Sequence, residues 1–344
     1  CVAVALPARQ MGQQLSPELA APRSAVHWRP AQRNTGVDKV GYLHRADSEA
    51  ETMTYRYLIF AAALLMQACS PPPPVEAQRY LESDALFAQL LGNVEAAGFE
   101  VITEIDHSRL GAESGSSMPP ARVLIFSDPA LDAAILQHEP LAALDLPLRA
   151  LSYERAPGDA ALAWNGYAFL ASRYGLPDMP ALQDGYSRAM QVAVAGVEAA
   201  RLVEFTAGDM PGRGVVTIDS PFDFVTTRQK VIDAINGQDD TLWFGEVDFQ
   251  ARATGSGVML KPVTLILFGA PEPGAKAMQN APILGLDVFC QKFVIWEDDS
   301  GSVYLSFNDV TELAQRHDAH VAPALRVVKF RLKSVFGSAL DPAN

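Results

Sequence analysis

One stretch of this 344-residue chain occurs twice, and that repetition limits the fold more than any other feature. Glu104, Asp106, Phe126, Pro129, Pro140, Leu144 and Asp145 recur as Glu246, Asp248, Phe268, Pro271, Pro282, Leu286 and Asp287, at a constant spacing of 142. The spacing becomes 143 for Tyr153/Trp296, Glu154/Glu297 and Asn165/Asn308, so the second copy has gained one residue. Identical residues at a fixed period of this length mean two copies of one domain. The chain is long enough for each copy to bury its own core.

The net charge of −13 is unevenly spread. Residues 1–52 carry a net of +1, and the chain without them and without Arg56 carries −15. A body this acidic is a poor partner for nucleic acid or for an anionic membrane surface. The three cysteines, Cys1, Cys69 and Cys290, show neither metal-ligand nor redox spacing.

The first 79 residues read as an address, not a fold. Residues 1–52 are rich in Ala, Arg, Gln and Pro without a sustained period, which predicts disorder. Met53 offers a better natural start than Cys1. After it come Arg56, an unbroken apolar run over residues 58–66, and Gln67-Ala68-Cys69. This is the layout of a secretory signal over 53–69, with an apolar run too short to span a bilayer. A cysteine in that place resembles a bacterial lipoprotein signal, with Cys69 as the acylated (palmitate-bearing) N-terminus. Met66 and Gln67 depart from that pattern, and a plain anchor or a cleaved soluble form is the alternative. Ser70 in place of Asp points to the outer membrane, facing the periplasm. Residues 70–79, with four consecutive prolines at 71–74, form a stiff tether.

The two copies then follow as a first domain over 80–176, a connector over 177–214 and a second domain over 215–335. Leu86, Phe87, Leu90, Leu91 and Val94 share a helical face, with Ser83 or Asp84 as cap and Gly98 as terminator. Residues 100–107 read as a strand, 110–120 as a loop, and 122–126 as a nearly continuous apolar strand. A helix begins at Asp128-Pro129, a hairpin spans 148–154 and 160–164, and a helix over 168–174 stops at Gly175. The connector reads as a helix over 183–202 and a flexible loop over 208–214. The second copy reads as strands over 215–219, 242–249 and 263–268, helices over 227–236 and 274–279, and a hairpin over 291–307 turning at Asp298-Asp299-Ser300-Gly301. A helix over 310–317 follows, and 325–332, alternating apolar and basic, reads as a closing strand. The fold class is α+β, too rich in hairpins for a doubly wound parallel sheet.

At these residues the chain resembles the bacterial domain-of-unknown-function 302 family. The stretches that carry the likeness are Glu104-Ile105-Asp106-His107, residues 124–129, 140–147 and 163–165, with Glu246-Val247-Asp248, residues 265–269, 281–287, 294–298 and 305–309 in the second copy, and His317. The resemblance implies two tandem domains, each a curved, mostly antiparallel sheet backed by helices, packed as a built-in pseudo-dimer. It supplies no chemistry. His107 is replaced by Phe249 in the second copy and His317 by Tyr174 in the first, so each copy lacks one of the two family histidines.

Asp106 and His107, at a strand end beside a Gly/Ser loop, are candidates for ligating a metal or acting as a base. On a regular strand they point to opposite faces, and the plainer account is a buried Asp satisfied by amides beside an exposed His. Asp248 repeats Asp106 without its histidine, which favours capping or loop closure for both. Glu104 and Glu246 read as a solvated strand face. Asn165 and Asn308 precede helices and read as N-caps, with ligand contact second. His317 is a candidate partner for Asp106 and His107 from the other copy. Tyr153, Trp164, Trp296 and Phe307 line a groove or belong to the core. Cys290, placed opposite Leu148, reads as a buried, inert thiol. No phosphate loop, Ser-His-Asp order or His-Glu-x-x-His motif is present.

The expected function is therefore a binding module for a small ligand, metal or envelope protein, with no nucleic-acid partner. An enzyme built on Asp106 and His107 and a ligand-free scaffold are the alternatives. Reaction, cofactor and metal stay unassigned.

Overall fold

The central strands of both copies are apolar on both faces, and the architecture explains why. The computed structural model describes residues 75–206 and 213–343; the signal, Cys69 and residues 70–74 lie outside the described residues. The first copy runs α1 (Val75–Ala96), β1 (Glu100–Asp106), α2 (His107–Glu113), β2 (Ala121–Ser127), α3 (Pro129–Leu136), a 3₁₀ turn (Pro140–Leu144), β3 (Leu148–Ala156), β4 (Asp159–Asn165), α4 (Tyr167–Tyr174), α5 (Pro180–Ala193) and β5 (Leu202–Phe205). The second runs β6 (Val215–Ser220), α6 (Phe224–Asn236), β7 (Leu242–Asp248), α7 (Phe249–Gly255), β8 (Val263–Gly269), α8 (Pro271–Met278), a 3₁₀ turn (Pro282–Gly285), β9 (Gln291–Glu297), β10 (Val303–Asn308), α9 (Val310–Arg316) and α10 (Pro323–Ala339).

Two open five-stranded sheets result, ordered β1-β2-β3-β4-β5 and β6-β10-β9-β8-β7. The fifth strands differ. β5 joins β4 in parallel after the first domain's helices, whereas β6 joins β10 antiparallel before α6. Bulges fall at equivalent places, Val101/Thr103 and Trp243/Gly245, where an extra residue bends the edge strand.

Each sheet carries its own helices on one face and the other copy on the other. α1 packs on β3 and β4, and α6 on β9 and β10. The 3₁₀ turn Pro282–Gly285 lies on β2 and β3, and its counterpart Pro140–Leu144 on β8, β9 and β10. The helix pairs α2/α8 and α3/α7 repeat the exchange, so the two copies form a pseudo-dimer. Along β3, Ser152 faces α1, where its hydroxyl donates to the Ser83 carbonyl at 2.8 Å, while Leu151 faces Gly285. With both faces covered, the usual apolar/polar alternation of an antiparallel sheet is lost. The outer face of the second sheet is an aromatic cluster: Phe293 meets Phe268, Phe307 and Phe336 at centroid distances of 4.8, 4.9 and 4.4 Å. Burying one such ring is worth about 1.5–3 kcal/mol.

Several expectations need correction. His107 does not end a strand; it opens α2, so a helix occupies the start of the expected 110–120 loop. α1 begins at Val75, which leaves Ser83 and Asp84 inside it: Ser83 bonds Ser152, and Asp84 pairs with Arg109 at 2.7 Å. The connecting helix ends at Ala193, and β5 follows. Residues 325–332 are helical, within α10. The inserted residue lies between Asp287 and β9, because Phe126 pairs with Leu148 and Phe268 with Gln291. Cys290 therefore corresponds to Pro147, not Leu148; it is buried all the same.

Candidate functional site

The polar residues that the repeat singles out converge on the seam between the copies. Asp145 and Asp287 follow the two 3₁₀ turns, and Asn165 and Asn308 end β4 and β10. Arg173 and Arg316, at the ends of α4 and α9, reach back to them. In the first copy Arg173 Nη1 donates to Asp145 at 2.6 Å and Tyr174 Oη donates to it at 2.7 Å. In the second, Arg316 Nη1 donates to Asp287 at 2.7 Å and His317 Nε2 at 3.0 Å. Each arginine also crosses the seam: Arg173 Nη2 to Asn308 Oδ1 at 2.8 Å, and Arg316 Nη2 to Asn165 Oδ1 at 2.5 Å. The side chains of both ion pairs are fully buried.

Burial alone would raise Asp145, but Arg173 and Arg149 outweigh it and hold the carboxyl below its ordinary value. Burial likewise opposes ionisation of Asp287, and His317 and Arg316 hold it far lower still. Two more cations complete the seam. Arg149 Nη2 donates to the Leu144 carbonyl at 2.8 Å, and Lys292 Nζ to the Cys290 carbonyl at 2.9 Å. Burial brings Lys292 down to about 8 and pushes the Cys290 thiol up, which leaves that thiol inert.

Asn165 and Asn308 are thus seam residues, not N-caps. Gly166 and Asp309 occupy the cap positions, and Asn165 Nδ2 donates to Asp145 at 3.2 Å. Sequence reasoning missed Arg173, Arg316, Arg149 and Lys292. The signal was present, since each pair lies at the 143 spacing.

Asp106 and His107 take separate partners. Asp106 caps α2, accepting from the Arg109 amide at 2.9 Å and the Ser108 hydroxyl at 2.7 Å, and it pairs with the Arg109 guanidinium. Asp248 caps α7 in the same way, accepting from the Ala251 amide at 2.9 Å. His107 is buried, not exposed: Nε2 lies 3.2 Å from the Gly285 carbonyl of the other copy. Burial and the nearby Lys292 lower it to about 4, so it is a neutral seam residue near pH 7. Among the described residues no three His, Cys, Asp or Glu side chains converge as metal ligands. Glu104 pairs with Arg122 and Glu246 with Arg228, each at 2.5 Å.

At one end of the seam a cleft of about 490 Å³ opens between the copies. Tyr153, Glu154 and Arg155 of β3 and Phe205 of β5 form one wall. The other wall comes from residues 280–283 with Lys276, and from Arg316, His317, Asp318 and His320. Arg316 and His317 back the cleft, their side chains sealed from solvent behind its wall. The Phe205 ring meets the His317 imidazole edge to face at 4.9 Å and lies 4.7 Å from the Arg316 guanidinium. His317 Nδ1 is buried without a partner among the described residues. Asp318 terminates α9 at φ 52°, where the first copy uses Gly175 at φ 68°. Aspartate tolerates this left-handed conformation less well than glycine does. The pseudo-equivalent cleft, about 400 Å³, lies between residues 136–140 and 296–299, with Met259 on its wall. At its surface Lys261 pairs with Glu297 at 3.6 Å, and Met259 stands 91 % exposed. We regard the first cleft as the better site, because only there does a buried polar group lack a partner.

Fold and seam together define a tandem pseudo-dimer of α+β domains with a junctional cleft. The chain belongs to the family Domain of unknown function DUF302, whose model matches residues 76–195 and 216–336. A solved structure, an uncharacterized conserved DUF302 protein from Bacillus stearothermophilus, is similar at 15 % identity and a TM-score of 0.32, covering 37 % of this chain and 96 % of that one. Curated relatives are similar over a smaller part. The "Fluoride-specific ion channel FluC 1" proteins of Brucella suis biovar 1 (strain 1330) and Brucella abortus biovar 1 (strain 9-941) are each 38 % identical over 104 residues, 30 % of this chain. The chain spans 40 % and 38 % of those two relatives. Among the described residues no helix is long and apolar enough to cross a membrane.

Proposed function

We propose that this protein is a binding module that holds a small molecule in the cleft between its two copies. The observation that carries the reading is the cleft itself: about 490 Å³, walled by both copies, with Arg316 and His317 of the buried network in its wall. A volume of that order suits a small organic ligand. The lining supports the same reading, since Tyr153, Phe205, Pro282 and Ile283 give apolar contact beside a few fixed polar groups.

The divergence of the copies supports it too. Tyr174 in the first copy and His317 in the second both donate to the buried aspartate. The tyrosine hydroxyl is used up in that bond, whereas histidine keeps a second nitrogen. Duplication preserves the packing and lets the second copy keep a histidine that the first has replaced by tyrosine. Native mass spectrometry of the chain purified from a cell extract, with elemental analysis, tests this. A bound mass in the wild type that is lost in His317→Tyr supports the reading, because tyrosine keeps the donor to Asp287. An apo wild type, or a mass retained in His317→Tyr, overturns it.

We further propose an address in the cell envelope, with acylation at Cys69 and the domains facing the periplasm. The sequence of residues 53–74 is its support. Expression from Met53 is expected to give an acylated, membrane-extractable product, lost in Cys69→Ala; an unacylated product with an intact signal defeats the idea.

A further inference from the structure

We infer that the outer face of α10 is a docking surface for an anionic lipid membrane. The helix sequence PALRVVKFRLKSVFGSA holds four cations and no acidic residue, in a chain whose body is strongly acidic. Leu325, Leu332 and Phe336 point inward and are buried. Arg326, Val327, Phe330 and Lys333 fall on the opposite face at spacings of three and four and are all exposed. Val327 is 65 % and Phe330 73 % exposed, among the most exposed large apolar side chains of the described residues. An amphipathic helix with a basic and aromatic outer ridge lies in a membrane interface by combining apolar insertion with attraction to anionic headgroups.

The charges are arranged to suit that partner. Lys329 is engaged with Asp309 at 2.6 Å and Arg331 with Asp240 at 2.5 Å. Arg326 and Lys333, which flank Phe330, make no ion pair among the described residues. The acidity of the rest of the body does not cancel them, because beyond about 8 Å physiological salt screens exposed charges. α6, which packs beside α10, adds Val225 at 74 % exposure. The corresponding outer helix of the first copy, α5, has a single exposed large apolar side chain, Val192, and carries Asp184 on its surface, so the face belongs to the second copy alone.

Sedimentation of the full chain carrying Cys69→Ala with vesicles tests the inference. Phosphatidylcholine vesicles are compared with vesicles containing one part in three phosphatidylglycerol, at physiological and at high salt. Any affinity of the apolar segment 58–66 is common to both vesicle types and to every variant. The wild-type protein is expected to prefer the anionic vesicles by about thirtyfold at physiological salt, since Arg326 and Lys333 contribute about 1 kcal/mol each, and to lose that preference at high salt. Arg326→Glu with Lys333→Glu is expected to abolish that preference. Phe330→Ser is expected to weaken binding to both vesicle types relative to the wild type, with an unchanged melting midpoint. Equal partition of the wild type between vesicle types overturns the inference, as does a preference that survives the double charge reversal. Loss of self-association in Phe330→Ser by sedimentation velocity, without any vesicle preference in the wild type, assigns the face to a second copy of the chain instead.

Discussion

Arg316 Nη2 donates to Asn165 Oδ1 at 2.5 Å across the seam, and the same two residue types meet in the reverse sense as Arg173 and Asn308 at 2.8 Å. The reciprocal exchange is the signature of a two-fold interface, here fused into one chain. Buried ion pairs contribute little net stability, and Arg316 Nε finds no partner among the described residues, yet the paired charges penalise any other register of the two halves. Removing one partner exposes that penalty. Arg316→Met leaves the Asp287 carboxylate buried with His317 and without its guanidinium, and it is expected to cost about 3–5 kcal/mol. Urea unfolding measures it. A loss below about 1 kcal/mol means that the network does not hold the seam.

Two buried groups with opposite linkage act between about pH 4 and 6.5. Asp132 is raised to about 7 by burial, with Ser127 donating to it at 2.5 Å and Arg252, Asp128 and Arg149 nearby. His107 is lowered to about 4 by burial, with Lys292 and Asp106 nearby. Between about pH 4 and 6.5 the folded state holds the Asp132 proton that the unfolded state has lost, so acidification stabilises through Asp132. Over the same window the unfolded state takes up the His107 proton first, so acidification destabilises through His107. The wild-type urea midpoint is expected to vary little from these two groups. Asp132→Asn should lose about 2 kcal/mol between pH 6.5 and 4.5, and His107→Phe, the residue found at Phe249, should gain a similar amount. Parallel profiles for the two variants contradict this assignment.

The contact between α2 and α8 limits Gly111. A Cβ built there collides with the Ala275 Cβ of α8 and lies 3.0 Å from the Ser116 carbonyl. Gly→Ala in a helix ordinarily gains up to about 1 kcal/mol. Here a rigid methyl against a rigid methyl forces α2 and α8 apart, at about 1–3 kcal/mol. Gly111→Ala is expected to lower the thermal midpoint, whereas Gly92→Ala in α1, with nothing near its Cβ, should raise it. A rise in both would show that α2 and α8 are not in contact.

The aspartate pair Asp106 and Asp248 should behave as caps. Each replacement by Ala is expected to cost about 1 kcal/mol, and the two should add. Differential scanning calorimetry of the singles and the double measures this. If Asp106→Ala instead removes a bound metal or ligand with no loss of stability, the residue belongs to a site and not to the helix end.

The sequence by itself determined the duplication, the fold class and the apolar cores. Repeated residues are visible at any distance, and strand and helix periods are local properties. The aspartate caps were legible for the same reason, since a cap acts on amides two and three residues away. The seam was not. Arg173 and Arg316 lie 135 and 151 residues from the asparagines that accept from them, and no local rule connects such positions. The charge alternation over residues 325–332 fits strand and helix alike. Burial of Leu325, Leu332 and Phe336 against α6 and the sheet decided for a helix and left Val327 and Phe330 facing outward. The tertiary structure also decided what the paired residues are for: packing two copies face to face buries charges that must then find partners across the junction, and it opens the cleft where their matching ends.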